Sequence, residues 1–201
     1  MIYLASTSPR RKKILKDLGI RFRVLSTRYH EKDLPGTGPA KLVRTHALGK
    51  ALSAAHLIIH GKILSADTVV YFKNKIIGKP KNRREAFRIL SMLQGRWHEV
   101  YTGVAIFEIK NKKIHKRRVF TEKTKVCLRP MNRAAILKYF KRVNPLDKAG
   151  AYAIQSRRFG IVVEIKGSFS NAVGLPLEKL SGFFKEGTFQ NISGSSLIIY
   201  R

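Results

Sequence analysis

The chain has 201 residues, 44% hydrophobic and 26% charged, which is enough for one substantial core and is the balance of a globular protein. Forty-one Lys and Arg face twelve Asp and Glu, a net charge of +29, so the surface favours polyanions such as nucleotides, nucleic acid or acidic lipid. The apolar runs are too short to span a bilayer and the first residues lack a signal-peptide pattern, so a cytoplasmic protein is expected. The single cysteine, Cys127, excludes an internal disulfide framework and reads as a buried, inert thiol in a strand.

Ile2 to Ala5 reads as a short strand and Ser6-Thr7-Ser8 as a polar loop. Pro9 suits the first position of a helix capped by Ser8, with Ile14, Leu15 and Leu18 inward and Gly19 as its stop. A helix N-terminus there is an anion site. Arg10 and Arg11 oppose the dipole in the first turn and make more sense beside an anion. A P-loop is excluded by the absence of its Gly-x-x-x-x-Gly-Lys pattern. A second strand, Ile20 to Leu25, leads into a loop through His30, Glu31 and Asp33 to Gly36. Ala40 to His56 forms a helix with Leu42, Val43, Ala47, Ala51 and Ala54 inward and Lys50 upon it.

Ile63 to Phe72 is apolar and β-branched like a buried strand, yet Asp67 interrupts it. A carboxylate in such a strand is costly to desolvate without a cation, a metal or hydrogen-bond donors. Lys73-Asn74-Lys75 offers a turn, and the returning Ile76-Ile77 and Gly78-Lys79-Pro80 would bring Lys79 back towards Asp67. Facing one cleft, such a pair can hold a metal and a phosphate.

Asn82 and Glu85 have cap-and-N3 spacing for a helix with Ala86, Phe87, Leu90 and Leu93 inward, ended by Gly95. Trp97 to Ile109 and Ile114 to Leu128 read as strands around a turn at Asn111, forming an arm or sheet extension with a solvated Lys116-Arg117-Arg118 face. Asn132 caps a helix with Ile136, Leu137 and Phe140 inward. Asn144 to Gln155 is a small-residue loop carrying Asp147-Lys148. A strand over Gly160 to Ile165, a turn-rich loop over Asn171 to Pro176, a helix over Pro176 to Phe184 and an edge strand at Leu197 to Tyr200 complete the chain. Acid is scarce, so ligands for a divalent metal would come mainly from Glu31, Asp33, Asp67 and Asp147.

Four stretches together resemble the Maf family of nucleotide pyrophosphatases. They are Leu4-Ala5-Ser6-Thr7-Ser8-Pro9-Arg10-Arg11; Ser65-Ala66-Asp67-Thr68 with Gly78-Lys79-Pro80; His98-Glu99-Val100-Tyr101-Thr102-Gly103-Val104; and Pro145-Leu146-Asp147-Lys148-Ala149-Gly150-Ala151-Tyr152 with Gln155, then Asn171 and Val173-Gly174-Leu175-Pro176. Their order matches the family and spans nearly the whole chain. The resemblance implies a single α/β domain, residues 1–201, with a long mixed twisted sheet flanked by helices and two lobes around a cleft, similar to the inosine triphosphatase fold. It implies cleavage of a nucleoside triphosphate to monophosphate and pyrophosphate with Mg2+ or Mn2+. Family members are often dimers and are linked to nucleotide-pool cleansing and arrest of septum formation.

Arg10, Thr68 and Gln155 match the branch of the family acting on dTTP and UTP, and modified pyrimidine triphosphates extend that expectation. By the same carry-over Asp67 is the proton acceptor, Glu31, Asp67 and Asp147 are the metal carboxylates, and Ser8, Arg10, Arg11, Lys50 and Lys79 bind the triphosphate. Whether Asp67 is base, ligand or both stays open. Two departures stand out: His30 where the family often has Asp, and Ser156 where Gly commonly follows Gln155. Two other readings compete, a basic nucleic-acid-binding module and a division regulator acting by protein contacts. The first leaves Asp67 and Asp147 unexplained, because bare carboxylates repel phosphate, and no membrane association or stable nucleic-acid complex is expected.

Overall fold

A computed structural model describes residues 1–32, 34–154, 160–180 and 183. Among the described residues seven strands make one mixed sheet: β1 (Ile2–Leu4), β2 (Phe22–Val24), β3 (Gly61–Phe72), β4 (Lys75–Ile77), β5 (Trp97–Lys110), β6 (Lys113–Leu128) and β7 (Val162–Lys166). The spatial order is β2-β1-β3-β5-β6-β7, with β4 beside β3. The pairs of β1 with β2 and with β3 are parallel; the other pairs are antiparallel. The parallel pairs require crossovers, and these are the helices α1 (Pro9–Asp17) and α2 (Pro39–Ala55). The remaining α-helices among the described residues are α3 (Arg83–Leu93), α4 (Arg133–Arg142) and α5 (Phe169–Val173).

Local chemistry accounts for the boundaries. Asn82 accepts from the Glu85 amide at 2.9 Å while the Glu85 carboxylate accepts from the Lys81 amide at 2.6 Å, a reciprocal cap on α3. Asn132 caps α4 by accepting from the Ala135 amide at 2.9 Å, with no returning bond. The β3–β4 and β5–β6 turns place Lys73, Asn74, Asn111 and Lys112 at φ between +46° and +62°, the left-handed pair that a two-residue hairpin needs and Asn tolerates. Ser8 does occupy the N-cap of α1, but its side chain makes no capping bond there.

β3 divides two cores. Its alternation sends Leu64, Ala66 and Val70 into the larger core, with α1, α3 and α4. Ile63 and Ser65 face α2, where Ser65 Oγ donates to the Ala47 carbonyl at 2.6 Å. The α2 stripe of Ala47, Ala51 and Ala54 is fully buried, and residues that small let the helix lie close to the sheet. Closest approach falls at Gly103 of β5, where a Cβ would sit 2.3 Å from the Val43 carbonyl oxygen. Glycine is required there for lack of space.

Several expectations are corrected. Of the two forms expected for the β5–β6 pair, it takes the sheet extension and not the arm: β5 pairs along nearly its whole length with β3, and β6 beyond it carries the exposed basic run. Leu137 is 46% exposed because α4 buries Ile136, Tyr139 and Phe140, and Leu137 lies one residue round from that stripe. Asn171 is helical, since Ser168 caps α5 by accepting from the Asn171 amide, and left-handed Gly174 ends it. Between Pro176 and Phe184 only a 3-10 turn, Leu177–Lys179, is described. Cys127 is half-buried rather than buried. The edge strand expected at Leu197 to Tyr200 lies outside the described residues.

Candidate functional site

A cleft of about 1130 Å³ opens where β1 and β3 meet the N-termini of α1 and α2. Ser8, Arg10, Arg11, Glu31, Lys50, Asp67, Thr68, Lys79 and Asp147 all line it. The sequence did not single out one further member, His46. It lies one helical turn before Lys50 on α2, so both side chains face the same way. That i, i+4 spacing was a legible signal, but without the Gly103 contact nothing in it aims α2 at Asp67.

Asp67 is buried at the floor, 7% exposed. Lys50 Nζ donates to its Oδ1 at 2.8 Å and His46 Nδ1 lies 3.3 Å from its Oδ2. Burial alone would raise the Asp67 pKa. The His46 hydrogen bond, the Lys50 ammonium and the Arg11 charge outweigh it and hold the carboxyl well below the usual range. His46 Nε2 is also 3.0 Å from the Lys32 carbonyl oxygen. Both ring nitrogens thus face acceptors, and only the imidazolium donates at both. Its pKa is raised accordingly, chiefly by the bond to Asp67. Tyr29 packs edge-on against His46 and over Gly49, where any Cβ would strike its ring.

Lys50 also reaches Glu31, with Nζ 2.5 Å from Oε1. One ammonium therefore bridges the two carboxylates. Among the described residues Glu31, His46 and Asp67 form a group whose ligand atoms all lie within 4.8 Å of one another. Two carboxylates that already share one cation fit a hard divalent ion. His46, whose ring nitrogens both face oxygen acceptors, is placed as a clamp on Asp67. Asp147 does not join them: its carboxylate is bound by Lys148 at 2.6 Å and lies 4.0 Å from Arg10. Asp33 and Gln155 lie outside the described residues.

The two arginines differ. Arg11 is 7% exposed and wholly engaged, with Nε donating to the Gly174 carbonyl at 2.8 Å, one terminal nitrogen to Ser6 Oγ at 3.0 Å and the other to Thr68 Oγ1 at 2.8 Å. Burial lowers its pKa to about 10, which leaves it charged at neutral pH. Arg10 is half-buried on the cleft wall and Lys79 is exposed at its rim. Thr68 points to the opposite side of β3 from Asp67, towards a hollow of about 30 Å³ that Arg10, Tyr152 and Ile154 also line.

This is an α/β protein whose cleft combines a paired-carboxylate floor with cationic walls, an arrangement suited to a phosphorylated small molecule together with a divalent ion. The sequence profile of the Maf-like protein family matches residues 1–187, and the chain belongs to that family. Its relatives include proteins named dTTP/UTP pyrophosphatase from Pelotomaculum thermopropionicum, 39% identical over 92% of this chain and 95% of that protein, and Gloeobacter violaceus, 42% identical over the same shares. Another from Thermosipho melanesiensis is 44% identical over 89% of this chain and 93% of its own. The Staphylococcus aureus Ham1 protein structure aligns with a TM-score of 0.41 at 13% identity, over 63% of this chain and 71% of that one. That distance carries no argument, and the fold class rests on the sheet itself. No helix among the described residues is long and apolar enough to cross a membrane.

Proposed function

We propose that this chain hydrolyses nucleoside triphosphates, dTTP and UTP foremost, to the monophosphate and pyrophosphate. One observation carries the reading: a buried carboxylate, Asp67, is clamped by His46 and shares an ammonium with Glu31 on the floor of a cation-walled cleft. The names of the relatives make dTTP and UTP the substrates of choice.

Glu31 and Asp67 would hold the divalent cation, which when bound neutralises phosphate charge and lowers the pKa of water. Asp67 accepts the proton of the water that opens the bond between the α and β phosphates, and the pyrophosphate leaves. While Lys50 is bound to it, Asp67 is a weak base. Phosphate charge that draws Lys50 away removes one of the contacts that lower its basicity, so one side chain links substrate arrival to activation. Ser8, Arg10 and Lys79 meet the phosphates from the wall and rim. Arg11, with every nitrogen engaged, holds Ser6, Thr68 and Gly174 in place. Gln155 completes base selection with Arg10 and Thr68, as the resemblance implies. A role in septum-formation arrest is separable: it belongs to this chemistry only if Asp67→Asn abolishes it.

The test is pyrophosphate release across a panel of purine and pyrimidine triphosphates with Mg2+, with Mn2+ and with EDTA. Metal-dependent release led by dTTP and UTP is expected. Release led by a purine overturns the base preference, and full release in EDTA overturns the metal.

A further inference from the structure

The stretch His98 to Val104 carries part of the family resemblance, yet the chemistry above gives it no role. Thr102 is its most buried polar member, with no exposed surface, and lies directly opposite Thr68 in the β3–β5 register. Its Oγ1 is 3.0 Å from Thr68 Oγ1 and 3.0 Å from the Asn171 carbonyl oxygen.

These contacts fix the protons. A threonine hydroxyl has one hydrogen and two lone pairs. The Asn171 carbonyl can only accept, so the Thr102 hydrogen points to it. The reverse choice would leave two oxygens facing each other 3.0 Å apart in a dry site with no hydrogen between them. Thr102 must then accept from Thr68. The Thr68 hydrogen is spent inward on Thr102, and one Thr68 lone pair receives the Arg11 terminal N–H at 2.8 Å. A single lone pair remains for a ligand. Thr68, which lines both the cleft and the small hollow beside it, offers a ligand an acceptor and no donor.

We propose that Thr102 is a positioning residue for specificity: it commits the Thr68 hydrogen inward, so that Thr68 reads a hydrogen-bond donor on the base. The inference rests on the pyrimidine-triphosphate reading above and deepens it. The bases of dTTP and UTP carry one donor on their pairing edge, N3–H, flanked by two carbonyl acceptors. Cytosine presents a lone pair at N3. Set against position 3 of the ring, an acceptor-only Thr68 pairs with the N3–H of uracil and thymine and opposes the cytosine N3 lone pair.

The experiment compares kcat/KM for UTP and CTP in the unaltered protein, Thr102→Val and Thr102→Ser. Valine removes the inward acceptor and frees the Thr68 hydrogen to face the base, so the UTP-over-CTP ratio should narrow by about tenfold or more. Serine keeps the hydroxyl and should keep the ratio. Equal losses on both substrates in Thr102→Val would mark a merely structural residue and overturn the proposal. A second measurement needs no variant. Pyrimidin-2-one riboside triphosphate has a lone pair at N3 and nothing at C4, and the unaltered protein should disfavour it as it does CTP; turnover matching UTP overturns the proposal. If the unaltered protein cleaves neither UTP nor dTTP, the proposed function fails and this inference with it. If it cleaves UTP without preferring it to CTP, this inference alone fails.

Discussion

Asp67 and Thr68 are neighbours on one strand, yet they belong to two chemically opposite sites. On the Asp67 side, Lys50, His46 and Glu31 crowd charge around one carboxylate. On the Thr68 side the links are Arg11, Thr68, Thr102 and Asn171, a chain in which protons rather than charges are assigned. The first arrangement can rearrange, because Lys50 has alternative anionic partners and Glu31 is exposed. The second is fixed, because carbonyls can only accept and nothing in it can titrate near neutrality. The period of two in a strand is what lets adjacent residues divide reaction from recognition.

The largest effect should come from breaking the charged side. Asp67→Asn is expected to lower turnover about a thousandfold while leaving the far-ultraviolet circular dichroism unchanged. An undiminished rate would remove Asp67 from the reaction. Next comes the position opposite Asp67 in the register. Gly103→Ala puts a Cβ against the Val43 carbonyl and must lift α2, which carries both His46 and Lys50. A loss of about 1–3 kcal/mol in unfolding free energy, with a fall in turnover, is expected. Full activity with unchanged stability would show that α2 need not sit so close.

The smallest effect sharpens the comparison through two buried histidines with opposite shifts. His98 meets the Tyr152 hydroxyl at 2.7 Å, and burial lowers its pKa to about 4. The unfolded chain binds that proton first as pH falls, so His98 adds stability above about 6.5 that drains away between 6.5 and 4. His46 has a raised pKa. Its contribution is complete below its ordinary value and is lost as pH rises through its folded value. Urea unfolding from pH 4 to 8 should therefore show His98→Gln flattening the acid side and His46→Gln the neutral side. Identical profiles for the two variants would contradict the assigned protonation states.

Much of this was legible in residue order. Asn82 with Glu85, Asn132, Pro9 and the two turns at Asn74 and Asn111 mark element boundaries by bonds that close within four residues. Asp67 declared itself by being a charge in an apolar strand. Arg11 marks where residue order stops informing: a first-turn arginine beside an anion site and one reaching Gly174, 163 residues away, look the same in sequence. Asp147 groups by sequence with the carboxylates of the floor, yet its neighbours Lys148 and Arg10 place it on the wall. Asn171 reads as loop in the sequence because its turn-forming neighbours Gly174 and Pro176 follow the end of the helix it belongs to.

The sequence by itself determined most of the strands and helices, the polyanion-seeking charge and the motifs that placed the chain beside its family, because each depends on local periodicity, capping or composition. Only the tertiary structure decided that His46 clamps Asp67, that Gly103 lets α2 come near enough for it to do so, and that the Thr102 hydroxyl meets that of Thr68. Those three facts depend on register across β3 and β5 and on a helix packed over both. Register and packing are relations between segments distant in the chain, and no single segment contains them.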